Sequence, residues 1–204
     1  MNNKMYAKRK KPLEGQKPIY ILFYKPDGVL TQFNSEGRES LNQYIQIKGV
    51  YSAGRLDFDS EGLLIITNDG VFIHGLTDPS TNLKKIYFVQ IEGIITENAL
   101  SELESGVIIK GYKTRPCDAQ NMDEPILPER RKPINPHAPT SWIRLTLHEG
   151  KKRQIRHMTA AVGFPTLRLI RAAIGPIGIN DLNPGEWRFL ASDEVNLLYS
   201  LIKL

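Results

Sequence analysis

The chain has 204 residues and a mass of 23.1 kDa, long enough to bury a core as one domain or two small ones. Hydrophobic residues make up 41% and charged residues 24%, which excludes a wholly disordered chain, and no apolar run is long enough to span a membrane. The N-terminus is charged and has no apolar stretch behind it, so we expect no secretory signal. The single cysteine, Cys117, excludes an internal disulfide or a cysteine-based zinc site, and we expect a reducing cytoplasm.

The net charge of +5 is concentrated in two segments of the chain. Residues 1–17 carry six basic side chains against Glu14 alone, and residues 144–171 carry seven against Glu149 alone. The first segment is polar and contains proline, so we predict a basic disordered arm over residues 1–18. Local positive charge favours a polyanionic partner, because phosphate binding depends on charge density; the alternative is a solvated tail and a charged helix face.

Hydrophobic periodicity and turn residues predict an ordered chain from residue 19 onward. We expect strands at 19–24, 63–67, 85–91, 141–147 and 167–174, and helices at 38–45, 71–77, 96–105, 152–161 and 192–201. Residues 113–140, the proline-rich insert, carry six of the thirteen prolines and predict a functional or mobile loop. The mixed order of elements predicts an α+β fold over residues 19–204, with two lobes hinged about the insert.

The densest polar motif is GRLDFDSEGLL at residues 54–64, in which three carboxylates alternate along the chain. Asp57, Asp59 and Glu61 imitate the start of a calcium-binding loop, but Asn68 stands where the bidentate glutamate is needed. An alternative is a magnesium-dependent nuclease that combines these carboxylates with a histidine, although the four histidines show no ligand spacing. For Asp59 and Glu61 we favour a structural role, in which they bind backbone groups of the turn before the next strand.

A second motif, EGKKRQIRHM at residues 149–158, opens the predicted helix near Lys152. Arg153 and Arg156 then lie about one turn apart, on a face next to the buried apolar stripe. Cations are unfavourable at a helix N-terminus unless anions lie opposite them. We therefore expect either an RNA phosphate or a protein carboxylate such as Asp57 opposite these arginines.

Tyr87 lies in the alternating strand predicted at residues 85–91. Val89 and Ile91 share its side of the strand, which favours a tyrosine of the core. The alternative places the ring in a cleft, where stacking on a nucleic-acid base is worth roughly 1–3 kcal/mol.

The two motifs and KIYFV at residues 85–89 occur in an order and spacing that resemble the three motifs of the RsuA group of bacterial ribosomal RNA pseudouridine synthases. VGFPTLRLIR at 162–171 and PGEWR at 184–188 are similar to a subgroup that modifies large-subunit (23S) ribosomal RNA. The resemblance runs from about residue 19 to residue 188. It implies the pseudouridine synthase catalytic fold, with a mixed, mostly antiparallel sheet flanked by helices around a catalytic cleft.

The resemblance also implies roles for single residues. Asp57 matches the catalytic aspartate, Tyr87 the tyrosine that packs on the flipped uracil, and Arg55 the residue that enters the vacated base stack. Arg156 matches the basic residue paired with the aspartate, with Arg153 as the second choice. Further RNA contacts are expected from basic residues in and after the second motif, namely Lys151, Lys152, Arg153, Arg168 and Arg171.

The reaction that the resemblance implies is an isomerisation of uridine that needs neither a metal nor another cofactor. Most members of the family carry an N-terminal S4-type RNA-binding domain; only about eighteen residues precede the first strand here, so we expect none. We expect a monomer that acts on large-subunit ribosomal RNA or a pre-ribosomal particle in the cytoplasm, without a membrane partner. The alternatives are a non-catalytic RNA-binding or ribosome-assembly factor and a metal-dependent nuclease.

Overall fold

The computed structural model describes residues 17–179 and 182–202, so most of the predicted arm, residues 1–16, lies outside the described residues. The described elements are, in chain order, β1 (Tyr20–Lys25), β2 (Tyr51–Ser52), β3 (Glu61–Thr67), α1 (Gly70–Thr77), β4 (Lys85–Glu92), α2 (Glu97–Ser105), β5 (Ile108–Ile109), β6 (Tyr112–Lys113), β7 (Asp118–Met122), β8 (Thr140–Leu147), α3 (Gln154–Ala161), β9 (Thr166–Ile174), β10 (Ile177–Gly178), β11 (Trp187–Phe189) and α4 (Ser192–Leu201). Among the described helices, none has the length and apolar character needed to cross a membrane.

Nine strands form one sheet, whose main order is β11-β1-β3-β9-β4-β8-β7, with β2 beside β3 and β10 beside β9. The described strand pairs are antiparallel except β3 and β9, where Glu61 lies opposite Ile170 and Gly62 opposite Arg171. The mixed, mostly antiparallel sheet is therefore confirmed. The parallel pair brings the end of the acidic motif next to the strand that follows α3. The sheet is continuous between β11 and β7, and a hinge between two lobes stays a prediction.

Apolar clusters cover both faces of the sheet because alternate residues of its strands point to opposite sides. Leu22 and Leu63 enter a cluster with residues of α1 and α4. Ile21 and Leu64 enter another, which the single-turn 3₁₀ helix Leu41–Gln43 completes. A third cluster joins β4 to α2 and α3.

Except for the helix at 38–45, the predicted elements are confirmed to within about two residues; the start of α3 and the insert differ in detail. The helix predicted at 38–45 is wrong: the structure has one 3₁₀ turn, and the Tyr44 carbonyl accepts a hydrogen bond from Trp187 Nε1 at 3.1 Å instead of continuing a helix. Helix α3 begins at Gln154 rather than 152, because Arg153 has a left-handed backbone. The proline-rich insert contains a strand, β7, which pairs with β8 over five residues.

Gly62 allows the backbones of β3 and β9 to approach each other closely. Its φ is +106°, and a Cβ placed there would lie 2.4 Å from the carbonyl oxygen of Arg171. A backbone atom cannot yield as a flexible side chain does, so we expect Gly62→Ala to lower the free energy of unfolding by more than about 2 kcal/mol in urea titrations.

Gly111→Ala is the matched control for this prediction. Gly111 also has a positive φ, +81°, but nothing lies within 4 Å of its added Cβ. Gly111→Ala should therefore lower the free energy of unfolding only by the cost of a Cβ at a positive φ, about 1 kcal/mol. Equal losses in the two variants would show that the close approach at Gly62 is unimportant.

Candidate active site

The acidic motif forms a loop, residues 54–60, between β2 and β3; we call it the acidic loop. Thr31 Oγ1 donates to the Leu56 carbonyl at 2.7 Å and accepts from the Leu56 N–H at 3.2 Å. The Gly28 N–H donates to the Phe58 carbonyl at 2.8 Å. These bonds fix the loop backbone on both sides of residue 57.

Asp59 is held by two arginines from the start of α3. Arg153 donates from Nη1 and Nη2 to the two carboxylate oxygens at 3.0 and 3.1 Å. Arg156 Nη2 lies 3.3 Å from Asp59 Oδ2 and donates to the Asp59 carbonyl at 3.0 Å. Burial raises the pKa of Asp59, but the Arg153 hydrogen bonds and the Arg156 charge outweigh it and hold that pKa below its usual value. Asp59 has a structural role, as predicted, but its main partners are these arginines and not only backbone groups of the turn.

Arg153 reaches Asp59 from an unusual backbone conformation. It occupies the N-cap of α3 with φ 54° and ψ 29°, the left-handed region, which costs a residue with a Cβ roughly 1–2 kcal/mol. No acidic residue lies in the first turn of α3, so Asp59 supplies the negative charge that the cations at this helix start require. The expectation of an anion opposite the arginines is confirmed, with Asp59 in the place predicted for Asp57.

Glu61 and two arginines of β9 form a buried polar layer behind the loop. Glu61 is 1% exposed and accepts from Arg168 Nε and Nη2 at 3.0 and 2.8 Å, while Arg168 also donates to the Pro128 carbonyl at 2.9 Å. Arg171 Nε donates to the Leu63 carbonyl at 2.7 Å. The predicted turn role of Glu61 is therefore wrong. Arg168 and Arg171 are 8% and 4% exposed and bind groups of the protein interior, and their expected contacts with RNA stay a prediction.

Asp57 differs from its two acidic neighbours. Its side chain is half-buried, and in the described part of the chain no hydrogen bond or ion pair reaches its carboxylate. Arg156, and Arg153 as the second choice, bind Asp59 in this structure, and their pairing with Asp57 stays a prediction. Both guanidinium groups nevertheless attract Asp57 electrostatically. The Asp57 carboxylate thus lies in a positive field and is available to a ligand.

Tyr87 lies in the middle of β4, opposite Leu145 of β8 and Arg171 of β9. It is 8% exposed and belongs to the same apolar cluster as Ile155 and Leu169. The predicted alternation of β4 is confirmed, and the ring is part of the core. Its stacking role stays a prediction.

The other basic residues expected at RNA lie at the surface. Arg55, Lys151 and Lys152 are exposed, and Arg153 is partly exposed beside Asp59. Lys151 Nζ lies 3.4 Å from the centre of the Tyr112 ring, a cation–π contact. Lys151, Lys152 and Arg153 directly precede the first residue of α3, and their contacts with RNA stay a prediction.

Two cations that the sequence reasoning did not single out also support the site. Lys25 is fully buried; its Nζ donates to the carbonyls of Pro26 and Val29 at 2.8 and 2.7 Å, and burial lowers its pKa to about 8. Arg130 of the insert donates from Nη2 to the Asp59 carbonyl at 3.4 Å. Lys25 was detectable as a charge that directly follows an apolar strand, whereas no local pattern indicates Arg130.

The alternatives that need a metal ion can be compared with this geometry. Over residues 17–179 and 182–202, no three His, Cys, Asp or Glu side chains are grouped so that they could hold a metal. Asp59 and Glu61, which the calcium and nuclease hypotheses would use as ligands, face guanidinium groups instead. The arrangement favours neither hypothesis.

Comparisons with known proteins agree with the motifs. The RNA pseudouridylate synthase family model matches residues 19–161. A Vibrio vulnificus protein named ribosomal large subunit pseudouridine synthase E is 46% identical over 182 residues, 88% of this chain and 78% of that protein. A Bacillus subtilis protein named ribosomal large subunit pseudouridine synthase B is 33% identical over 192 residues, 93% of this chain and 75% of that protein. A solved structure described as a pseudouridylate synthase superposes with a TM-score of 0.77 at 26% identity, covering 89% of this chain and 74% of that one, which confirms the expected fold.

Proposed function

Since this chain belongs to the RNA pseudouridylate synthase family, we propose that it converts a uridine of large-subunit ribosomal RNA to pseudouridine. The names of two relatives, 46% and 33% identical, both specify the large ribosomal subunit. One structural observation supports the catalytic assignment best. Of the three carboxylates in the acidic motif, Asp59 and Glu61 are neutralised by arginines, whereas Asp57 keeps its carboxylate available.

The reaction rearranges bonds within one nucleotide. The N1–C1′ bond of uridine breaks, the base turns and C5 bonds to C1′, while C5 loses a proton and N1 gains one. Cleavage develops positive charge at C1′, which the Asp57 carboxylate traps or stabilises; the alternative is that Asp57 removes a proton from C2′. Arg153 and Arg156 act through Asp59, because they hold the loop that presents Asp57. Protein side chains carry these steps, and we propose neither a metal nor another cofactor.

The target base must leave its helical stack before the reaction. Arg55 is exposed and lies two residues before Asp57, so it is placed to enter the vacated space. We assign Tyr87 the role of packing on the flipped uracil, at the edge of the apolar cluster that it shares with Ile155 and Leu169. Lys151 and Lys152, with Arg153, supply phosphate contacts near the start of α3.

Arg55→Ala should slow the reaction on structured RNA by about 10-fold or more, and much less on an unstructured oligonucleotide that carries the same uridine. The reason is that unstacking costs a few kcal/mol in a helix and little in a single strand. Single-turnover rates on the two RNAs measure the difference. Equal losses on both would make Arg55 a general phosphate contact.

The proposed partner is large-subunit ribosomal RNA or a pre-ribosomal particle, met in the cytoplasm without a membrane. We also propose that the protein acts as a monomer. Size-exclusion chromatography with light scattering, with and without RNA, tests this state directly.

Chemical mapping of pseudouridine tests the proposed function. Unmodified large-subunit and small-subunit ribosomal RNA transcripts are incubated with the protein in EDTA and then mapped. One new pseudouridine in the large-subunit transcript supports the proposal. Binding without modification, there or in pre-ribosomal particles, would indicate an RNA-binding factor, and cleavage that returns with magnesium would indicate a nuclease.

A further inference from the structure

We propose that Arg130, in the proline-rich insert, is a positioning residue that fixes the acidic loop in the geometry needed for Asp57 to act. The expected effect on the reaction rate rests on the proposed function, whereas the contacts of Arg130 do not depend on that function. It gives the insert a role in the reaction although no residue of the insert belongs to the proposed catalytic set.

Arg130 contacts three segments of the chain around the acidic loop. Its side chain is 15% exposed, and its Nε lies 3.1 Å from Glu61 Oε1 and 3.6 Å from Asp27 Oδ2. Its Nη2 donates to the Asp59 carbonyl at 3.4 Å. One guanidinium group therefore touches the turn after β1, the acidic loop and the first residue of β3. Arg130 holds the insert against this junction.

Neutralisation of the Glu61 charge does not by itself account for the position of the Arg130 side chain. Glu61 already has a bidentate partner in Arg168, at 3.0 and 2.8 Å. In the described part of the chain, Arg130 is the side chain that contacts both Asp27 and the carbonyl of Asp59. Asp27 Oδ1 also accepts from the Arg131 N–H at 3.3 Å, a backbone contact that neither alanine variant removes. Asp27 is 3% exposed and belongs to the same turn as Gly28, whose N–H binds the Phe58 carbonyl. Arg130 thus ties the loop to a turn that also holds it from the other side.

The contacts of Arg130 act on the position of Asp57 through the backbone, because Asp59 lies two residues after Asp57. The Asp59 carbonyl accepts from both Arg130 and Arg156, and the Ser60 N–H donates to the Asp57 carbonyl at 3.1 Å. Loss of one of these donors lets the loop move relative to bound RNA. A displacement of about 1 Å at a reacting group can cost 10²-fold in rate.

Arg131 is a matched control from the adjacent position. It is 45% exposed, and its Nη1 lies 2.8 Å from both carboxylate oxygens of Glu39. That ion pair also tethers the insert, but its partner lies outside the acidic loop. Comparing Arg130→Ala with Arg131→Ala therefore separates positioning of the loop from general anchoring of the insert.

Single-turnover pseudouridine formation on large-subunit RNA, measured over a range of protein concentrations, gives the rate of the chemical step and the half-saturating concentration. Arg130→Ala should lower the rate about 10-fold to 100-fold and change the half-saturating concentration less than about threefold. Millimolar guanidinium chloride, compared with equal potassium chloride, should restore part of the Arg130→Ala rate. Arg131→Ala should stay within about twofold of wild type in both quantities.

Amide hydrogen exchange provides a readout that does not need activity. Exchange at residues 54–60 should accelerate in Arg130→Ala and remain as in wild type in Arg131→Ala. Arg130→Lys, which keeps the charge but not the bridge between Asp27 and the Asp59 carbonyl, should behave like Arg130→Ala and serves if the alanine variant fails to fold. Equal rate losses in the two alanine variants, a change in half-saturation alone, or unchanged exchange in the loop would overturn the proposal. If wild type makes no pseudouridine, the proposed function fails, and the exchange data alone decide the role of Arg130.

Discussion

Asp57→Asn is expected to lower the single-turnover rate of pseudouridine formation by at least about 10³-fold. Asparagine has nearly the same shape, but it can neither trap C1′ nor carry the negative charge that a developing cation needs. Because no hydrogen bond or ion pair in the described structure reaches the Asp57 carboxylate, the fold loses little: the free energy of unfolding should stay within about 0.5 kcal/mol of wild type. RNA affinity should be retained.

Asp59→Asn is the control for this substitution, two positions along the same loop. It removes the negative charge that binds Arg153 and Arg156, so the loop and the start of α3 lose an anchor. We expect a measurable loss of stability and a slower but detectable reaction, reduced about 10-fold to 100-fold. A variant set in which Asp57→Asn turns over while Asp59→Asn does not would reverse the catalytic assignment.

Arg168→Ala should give the largest loss of stability. Glu61 is 1% exposed, so removing its bidentate partner leaves a buried carboxylate with Arg130 Nε at 3.1 Å as its remaining cation. Breaking a buried pair from one side typically costs about 3–5 kcal/mol. The melting temperature should fall by roughly 6–20 °C for a chain of this size, as measured by calorimetry or circular dichroism.

Two companion variants test the cause of that loss. Replacing both partners, Glu61→Gln with Arg168→Met, removes the unpaired charge and should recover a large part of the stability. Arg131→Ala breaks a bidentate pair with Glu39 that is exposed on both sides, 45% and 36%, and should cost less than about 1 kcal/mol. If Arg168→Ala is no worse than Arg131→Ala, the buried layer is not important for folding.

The fold could be predicted where a local pattern determined the element. The alternation of β4 and the bounds of α2 both appear as expected, because each depends on residues close in sequence. Strand β7 was missed because DAQNM has neither β-branched nor aromatic residues; it forms because β8 offers a pairing edge. The 3₁₀ turn at Leu41–Gln43 likewise depends on Trp187, more than 140 residues away.

The sequence predicted the types of residue at the site, but not which acidic residue binds which arginine. An unfavourable run of cations at the start of α3 correctly indicated a nearby anion. It could not separate Asp57 from Asp59, because the two lie at i and i+2 and share a face in an extended chain. Which one binds depends on contacts 94 and 97 residues apart. The buried positions of Arg168 and Arg171 have the same origin, since only the pairing of β3 with β9 places them inside.

The sheet order has a consequence for biosynthesis. Strand β1 lies between β3 and β11, so residues near the beginning of the described chain bond with Trp187–Phe189 near its end. The acidic loop, likewise, finds its arginine partners about 95 residues after its own synthesis. A nascent chain that still lacks α3 and β9 has neither an anchored loop nor a closed core, because these pairings are distant in sequence. We therefore expect a chain that ends before β9 to form no pseudouridine.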